Sequence, residues 1–342
     1  MIKITTSNLN DLAYVHYDFL CKKFDFSIEK RLKISLSKYQ KEILPIYKKY
    51  YLLLQYIDKN LEEIIIGTPL TLEKHRIRLT KLSEDFELTK QEKKKTKEQK
   101  EILKDLNYIF NYETFASKGF RKKATKKHED YFYSGNVLVG KINIQVCPYC
   151  NRNTIYSFKS GTKRTSELDH FYPQKKYPFF ALSFYNLIPS CKVCNKIKLD
   201  NDDKEYINPY DTRFDFNKNM KFGLQIENSS FYYSENGFKF KYKFDAKIST
   251  DENQRIENNL NVFELKDLYD NHKDIILELI QKAEIYNESY IDELMQKYEG
   301  TLFKNREDLL RLVTCGYVSD EDLHKRPLSK LIKDISEELN LI

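Results

Sequence analysis

Tryptophan is absent from this 342-residue chain, and glycine, proline and methionine are sparse, at nine, eight and three. With abundant lysine, asparagine, isoleucine and tyrosine, this matches the codon usage of an AT-rich genome and carries no functional reading. Other absences exclude more. No run of 18 apolar residues occurs, so the sequence offers no membrane-spanning helix. No charged-then-apolar leader opens it. There is no GxxxxGK[ST] phosphate loop, so the chain is expected to hold no ATPase of its own. No internal repeat is present, which excludes a solenoid or array. Charge of one sign is lacking too. The 58 basic and 51 acidic residues leave a formal +7, an excess that solubility alone explains.

Cysteine is scarce but ordered. Four of the six fall in two CxxC pairs, Cys147/Cys150 and Cys191/Cys194. A CxxC turn lets two thiolates converge on one ion, and a second turn completes a tetrahedron. Sulfur ligands select Zn2+ over Mg2+. Pro148 and Tyr149 inside the first pair suit a tight turn. The pairs lie about forty residues apart, longer than a usual zinc ribbon, so the intervening chain must leave the ion and return as an inserted hairpin. Metal spacing, rather than a disulfide framework, points to a reducing cytoplasm. Cys21 and Cys315 have no partner motif and are expected to be ordinary buried thiols.

Inside that loop the sequence reads ELDHFYP, then YNLIPSCKVCNKIK. ELDH alternates as a short strand does. Asp169 offers a hard ligand for a divalent cation beside His170, a base able to deprotonate water. Asn195 adds a neutral oxygen at a helix start. Residues 186–189 are expected as a second strand and 192–199 as a helix. The order Asp169-His170, Asn186, Asn195 within a four-cysteine unit resembles the HNH endonucleases of the ββα-metal class. The likeness is specific from Val146 to Leu199. More loosely it extends to the HNH nucleases of Septu-type and retron-associated anti-phage systems.

That resemblance implies roles for each position. His170 would be the general base. Asp169 and Asn195 would hold one catalytic Mg2+ or Mn2+, with Glu167 as a further acid near it. Asn186 would pin the loop and orient His170. Cys147, Cys150, Cys191 and Cys194 would hold structural Zn2+. It also implies a DNA substrate, a companion ATPase subunit, and activity restrained until infection. Two other readings stay open on the same residues. One is a tRNA-cleaving RNase with the same site. The other is a non-catalytic zinc module that binds nucleic acid or protein.

Around this unit the chain is expected to be α+β and mostly helical, in three parts. Residues 1–135 read as helices, with apolar spacing through Leu12, Val15, His16, Phe19 and Leu20, a long helix at 37–60 and a break at Gly67-Thr68-Pro69. The run QEKKKTKEQK reads as a solvated helix or linker. A basic cluster of Lys118, Arg121, Lys122, Lys123, Lys126 and Lys127 offers phosphate contacts, and Lys192, Lys196 and Lys198 offer more. His128 closes that cluster and reads as a surface residue. Residues 136–215 would be the nuclease core, fed by a strand at 137–146. Residues 216–342 would hold a hairpin turning at Asn236-Gly237, two helices over 252–298, and a last helix over 320–341 broken at Pro327. The flanking helices would scaffold the core or dock the partner.

Overall fold

The computed structural model describes residues 1–6, 8–123, 131–158, 163–199 and 204–342. Lys126, Lys127 and His128 of the expected basic cluster lie outside them.

Local chemistry sets the first helices. α1 (Leu9–Tyr17) buries Leu12, Ala13, His16 and Tyr17. α2 (Ile28–Tyr39) starts at Ser27, whose side chain accepts from the Lys30 N–H. α3 (Pro45–Lys59) starts at a proline, which suits a first turn and cannot continue a helix. The single helix expected over 37–60 is therefore two. α4 (Leu61–Ile66) and α5 (Pro69–Ser83) flank the predicted break, with Thr68 capping α5. α6 (Lys97–Ile109) opens on a reciprocal Thr96–Gln99 capping box. The charge-rich run thus ends in an ordered helix. α2, α3 and α6 pack together, and Asp105 of α6 accepts from Tyr50 at 2.8 Å and Ser35 at 3.0 Å.

After α7 (Tyr112–Ser117), β1 (Phe120–Lys122) pairs antiparallel with β2 (Tyr131–Tyr133). The strand expected at 137–146 is instead mainly helix. Ser134 caps α8 (Gly135–Ile142), which ends at Asn143 with φ 54°. Leu138, Val139 and Ile142 are its buried side chains, a helical spacing that overrides the apparent alternation.

Next come β3 (Glu167–His170), β4 (Leu187–Ser190) and α9 (Lys192–Lys198), in that order. The strands are antiparallel, with Asp169 opposite Ile188 and His170 opposite Leu187. The aromatic loop between them serves packing. Phe179, Phe180, Leu182 and Phe184 are fully buried, and Ser183 donates to the Ile64 carbonyl.

The C-terminal part is more broken than its periodicity implied. After the short α10 (Phe216–Asn219), β5 (Met220–Ile226) and β6 (Phe238–Phe244) form a hairpin. Asn236-Gly237 is not a two-residue turn. It ends the longer 227–237 connection, and a Cβ at Gly237 would meet the Phe231 nitrogen at 2.2 Å. Four helices replace the expected two: α11 (Thr250–Val262), α12 (Leu265–Asp270), α13 (Lys273–Ile285) and α14 (Glu288–Tyr298). Glu264, with φ 49°, breaks the first pair. After α15 (Arg306–Thr314), the last helix, α16 (Ser329–Glu338), begins only past Pro327. Asp334 and Glu338 of α16 accept the Phe222 and Leu224 N–H groups, which covers that edge of β5. Cys21 is buried as expected, but Cys315 is exposed, because it terminates α15 in a left-handed conformation.

The fold is α+β and mostly helical, with small antiparallel hairpins. Buried apolar side chains from all three expected parts join one core. Among the described residues no helix is long and apolar enough to cross a membrane.

One core group makes stability depend on pH. His16 is fully buried between the Tyr133 hydroxyl, 3.0 Å from Nδ1, and the Leu182 carbonyl, which accepts from Nε2 at 2.8 Å. Burial pushes its imidazole down from 6.5 to about 4. The neutral form is the folded form, so its contribution is complete above pH 6.5 and is lost as pH falls toward 4. The full effect is on the order of 3 kcal/mol. His16→Gln should flatten the pH slope of denaturant-derived stability in that window by up to about 1.4 kcal/mol per pH unit. An unchanged slope would refute the assignment.

Candidate metal centre and adjoining cleft

The four cysteines meet. Their Sγ atoms all lie within 4.8 Å of one another, and all four residues are buried. Backbone N–H groups point at the sulfurs: Arg152 to Cys150 and Cys194 to Cys191, both at 3.4 Å. The Asn153 amide donates to Cys191 at 3.3 Å. Such donors suit thiolates. Burial pushes the Cys147 thiol well up, so a buried thiolate needs a cation to offset it. Four soft ligands without a carboxylate fit Zn2+ in a closed site.

The first knuckle is held from far away in sequence. Asn151, at its tip with φ 49°, accepts from Leu328 N–H at 2.6 Å and Lys330 N–H at 2.9 Å. Its amide donates to the Leu323 carbonyl at 2.9 Å. The Tyr149 ring stacks on Phe263, with centroids 4.2 Å apart.

Beside this centre an open cleft of about 540 Å3 is lined by Glu167, Asp169, His170 and Asn195. Its wall also includes Leu103 and Asn107 of α6, far upstream in the chain. The His170 Nε2 lies 3.0 Å from the Ala181 carbonyl. A carbonyl only accepts, so Nε2 carries the proton and Nδ1 keeps a lone pair. Burial pushes this imidazole down to about 4, so it is neutral near pH 7. The Tyr112 ring meets it edge-on at 4.3 Å.

Asn186 stays out of the cleft. It is fully buried, accepts from the Tyr172 N–H at 2.6 Å and donates to the Phe180 carbonyl at 2.9 Å. These bonds fix both ends of the loop that carries the Ala181 carbonyl.

Asp169 is 3% exposed, and both its oxygens are engaged. Oδ2 accepts from the Tyr149 hydroxyl at 2.6 Å, and Oδ1 from the Lys198 ammonium at 3.1 Å. Lys198 also donates to the His170 carbonyl at 2.6 Å and is fully buried. The expectation that Lys198 faces phosphate therefore fails: the α9 turn after Asn195 points it inward, where Asp169 neutralises it. Neither Tyr149 nor this role of Lys198 was read from sequence, although each sits within a motif already singled out. Glu167 and Asn195 are half-buried, with no side-chain partner among the described residues. They offer oxygens to a hard cation, and each Asp169 oxygen retains a second lone pair. The donor set fits Mg2+ or Mn2+.

The basic residues divide. Lys192 and Lys196 are exposed on α9. Arg121 and Lys123 are exposed on and beside β1, and Lys122 pairs with Asp25 at 3.1 Å. None of these five lines the cleft.

No known family profile matches the chain, and no solved structure matches it. Ninety residues align at 31% identity with the Septu protein PtuB of Bacillus thuringiensis, covering 25% of this chain. The alignment spans 35% of that relative, about a third of its length. Over a quarter of its length, then, this chain with its buried four-cysteine cluster is similar to a Septu protein.

Proposed function

We propose that the cleft is the active site of an HNH endonuclease that hydrolyses DNA phosphodiester bonds in bacterial anti-phage defence. The observation that carries this reading is His170: a neutral imidazole, its Nε2 proton held by a carbonyl, its Nδ1 without a hydrogen-bond partner among the described residues, in a cleft lined also by Glu167, Asp169 and Asn195. The order of strand, strand and helix around it supports the reading, as does similarity to a protein named for a defence system.

His170 accepts the proton of the attacking water on Nδ1. The Ala181 carbonyl fixes the ring and steadies the imidazolium that forms. Glu167, Asn195 and Asp169 would hold the divalent ion, which when bound offsets the charge gathering on the phosphate and the leaving oxygen. Tyr149 and Lys198 hold Asp169 in place. The cysteine centre braces both ends of the unit and takes no part in the chemistry. A companion ATPase subunit belongs to this proposal, and co-purification of the two tests it.

The deciding assay incubates the zinc-loaded protein with supercoiled plasmid and with tRNA, in Mg2+ and in EDTA. Metal-dependent nicking of plasmid is expected. Cleavage of tRNA alone would replace DNA with RNA as substrate. Binding without cleavage of either would overturn the enzyme reading.

A further inference from the structure

Resting on that reading of the cleft, we propose that a lysine stripe on α6 holds the phosphate backbone of duplex DNA along it. The run containing Lys97 and Lys100 reads in sequence as a solvated helix or linker. Its helix instead supplies Leu103 and Asn107 to the same cleft as His170.

Lys97, Lys100 and Lys104 are all exposed. At 100° per residue they share about 60° of arc, on the helix edge adjoining Leu103 and Asn107. From first to last they span about 10 Å, the axial rise of about three phosphates on one strand.

The acids of α6 are spent elsewhere. Glu101 takes Lys38 and the Tyr47 hydroxyl, each at 2.7 Å. Asp105 takes Tyr50 and Ser35. Glu98 folds back on the helix start at Thr96. No acidic partner is found for the three lysines among the described residues. Charge on this helix is thus sorted: Glu101 and Asp105 turn to α2 and α3, while the three ammonium groups stay exposed on the edge next to Leu103 and Asn107, outside the cleft lining itself.

The stripe is also fixed in place. Ile102, Leu106 and Ile109 are fully buried beneath it. α6 rests on the Pro178–Phe180 turn, directly before the Ala181 carbonyl that holds His170. A strand gripped by these lysines is therefore held in constant relation to the base.

The test measures binding, not cleavage. Zinc-loaded His170→Ala protein is titrated with a labelled duplex by fluorescence anisotropy across a salt series. The same protein carrying Lys97→Gln, Lys100→Gln and Lys104→Gln should bind about 10²-fold more weakly near 0.1 M salt, with the slope of log K against log salt reduced by about 3. Its melting temperature and zinc content should not change, because all three side chains are exposed. Unaltered affinity and slope would overturn the stripe while leaving the endonuclease reading intact. So would a loss seen only with Arg121→Gln and Lys123→Gln. A parent protein that binds no duplex at any salt would sink both. A parallel tRNA titration in which alone the lysines matter would overturn the choice of DNA.

Discussion

Cys194→Ser is expected to unfold the zinc-bearing unit rather than slow it. Binding of structural zinc is itself folding free energy, on the order of 10 kcal/mol or more in small zinc modules. That rivals the entire stability of a typical domain, roughly 5–15 kcal/mol. Here the ion would join the knuckle before β3 to the turn that starts α9, so its loss frees both ends of the unit that carries His170. Elemental analysis should find about one zinc per chain in the parent. The variant should lose the metal and melt far lower, or fail to accumulate in soluble form. Freshly purified, folded parent protein without zinc would refute the centre, as would a serine variant that melts with the parent.

His170→Ala should abolish cleavage and leave the protein folded. Removing a positioned general base costs about 10²–10⁴ in rate. The imidazole lies on the open cleft, apart from the thiol cluster, so zinc content should match the parent and the protein should stay folded, with a modest fall in melting temperature from the lost Ala181 bond and Tyr112 contact. Asn195→Ala and Glu167→Gln should instead raise the Mg2+ or Mn2+ concentration needed for half-maximal nicking. Full nicking by purified His170→Ala protein would exclude the assigned mechanism.

What could be read from sequence was local. Each CxxC pair presents two ligands within one turn, so only the meeting of the pairs was left to the fold. The strands and helix around His170 and Asn195 are contiguous in chain, and their order was visible. What escaped was tertiary. Lys198 was judged by its charge, yet its position one helical turn beyond Asn195 makes it the internal partner of Asp169. Tyr149 looked like turn filling, though its hydroxyl reaches the same carboxylate. Nothing in the lysines of α6 announces a cleft formed some sixty residues later. Helix limits failed where one residue overrules a periodic pattern, as Pro45 does before α3 and Glu264 between α11 and α12.

The bond from Lys330 back to Asn151 crosses 179 positions, and this has a consequence in time. A ribosome adds about 5–20 residues per second, so roughly 10–35 s separate the birth of the first knuckle from that of the segment that secures it. The four knuckle cysteines and His170 are all made before or early in that interval. During it the tip of the knuckle has none of the three partners that hold it in the finished protein. Synthesis thus orders the events: the four knuckle cysteines are present on the nascent chain well before the clasp, which closes only once residue 330 has been made. A chain cut short before residue 323 would carry the four knuckle cysteines and His170, yet lack the clasp at Asn151.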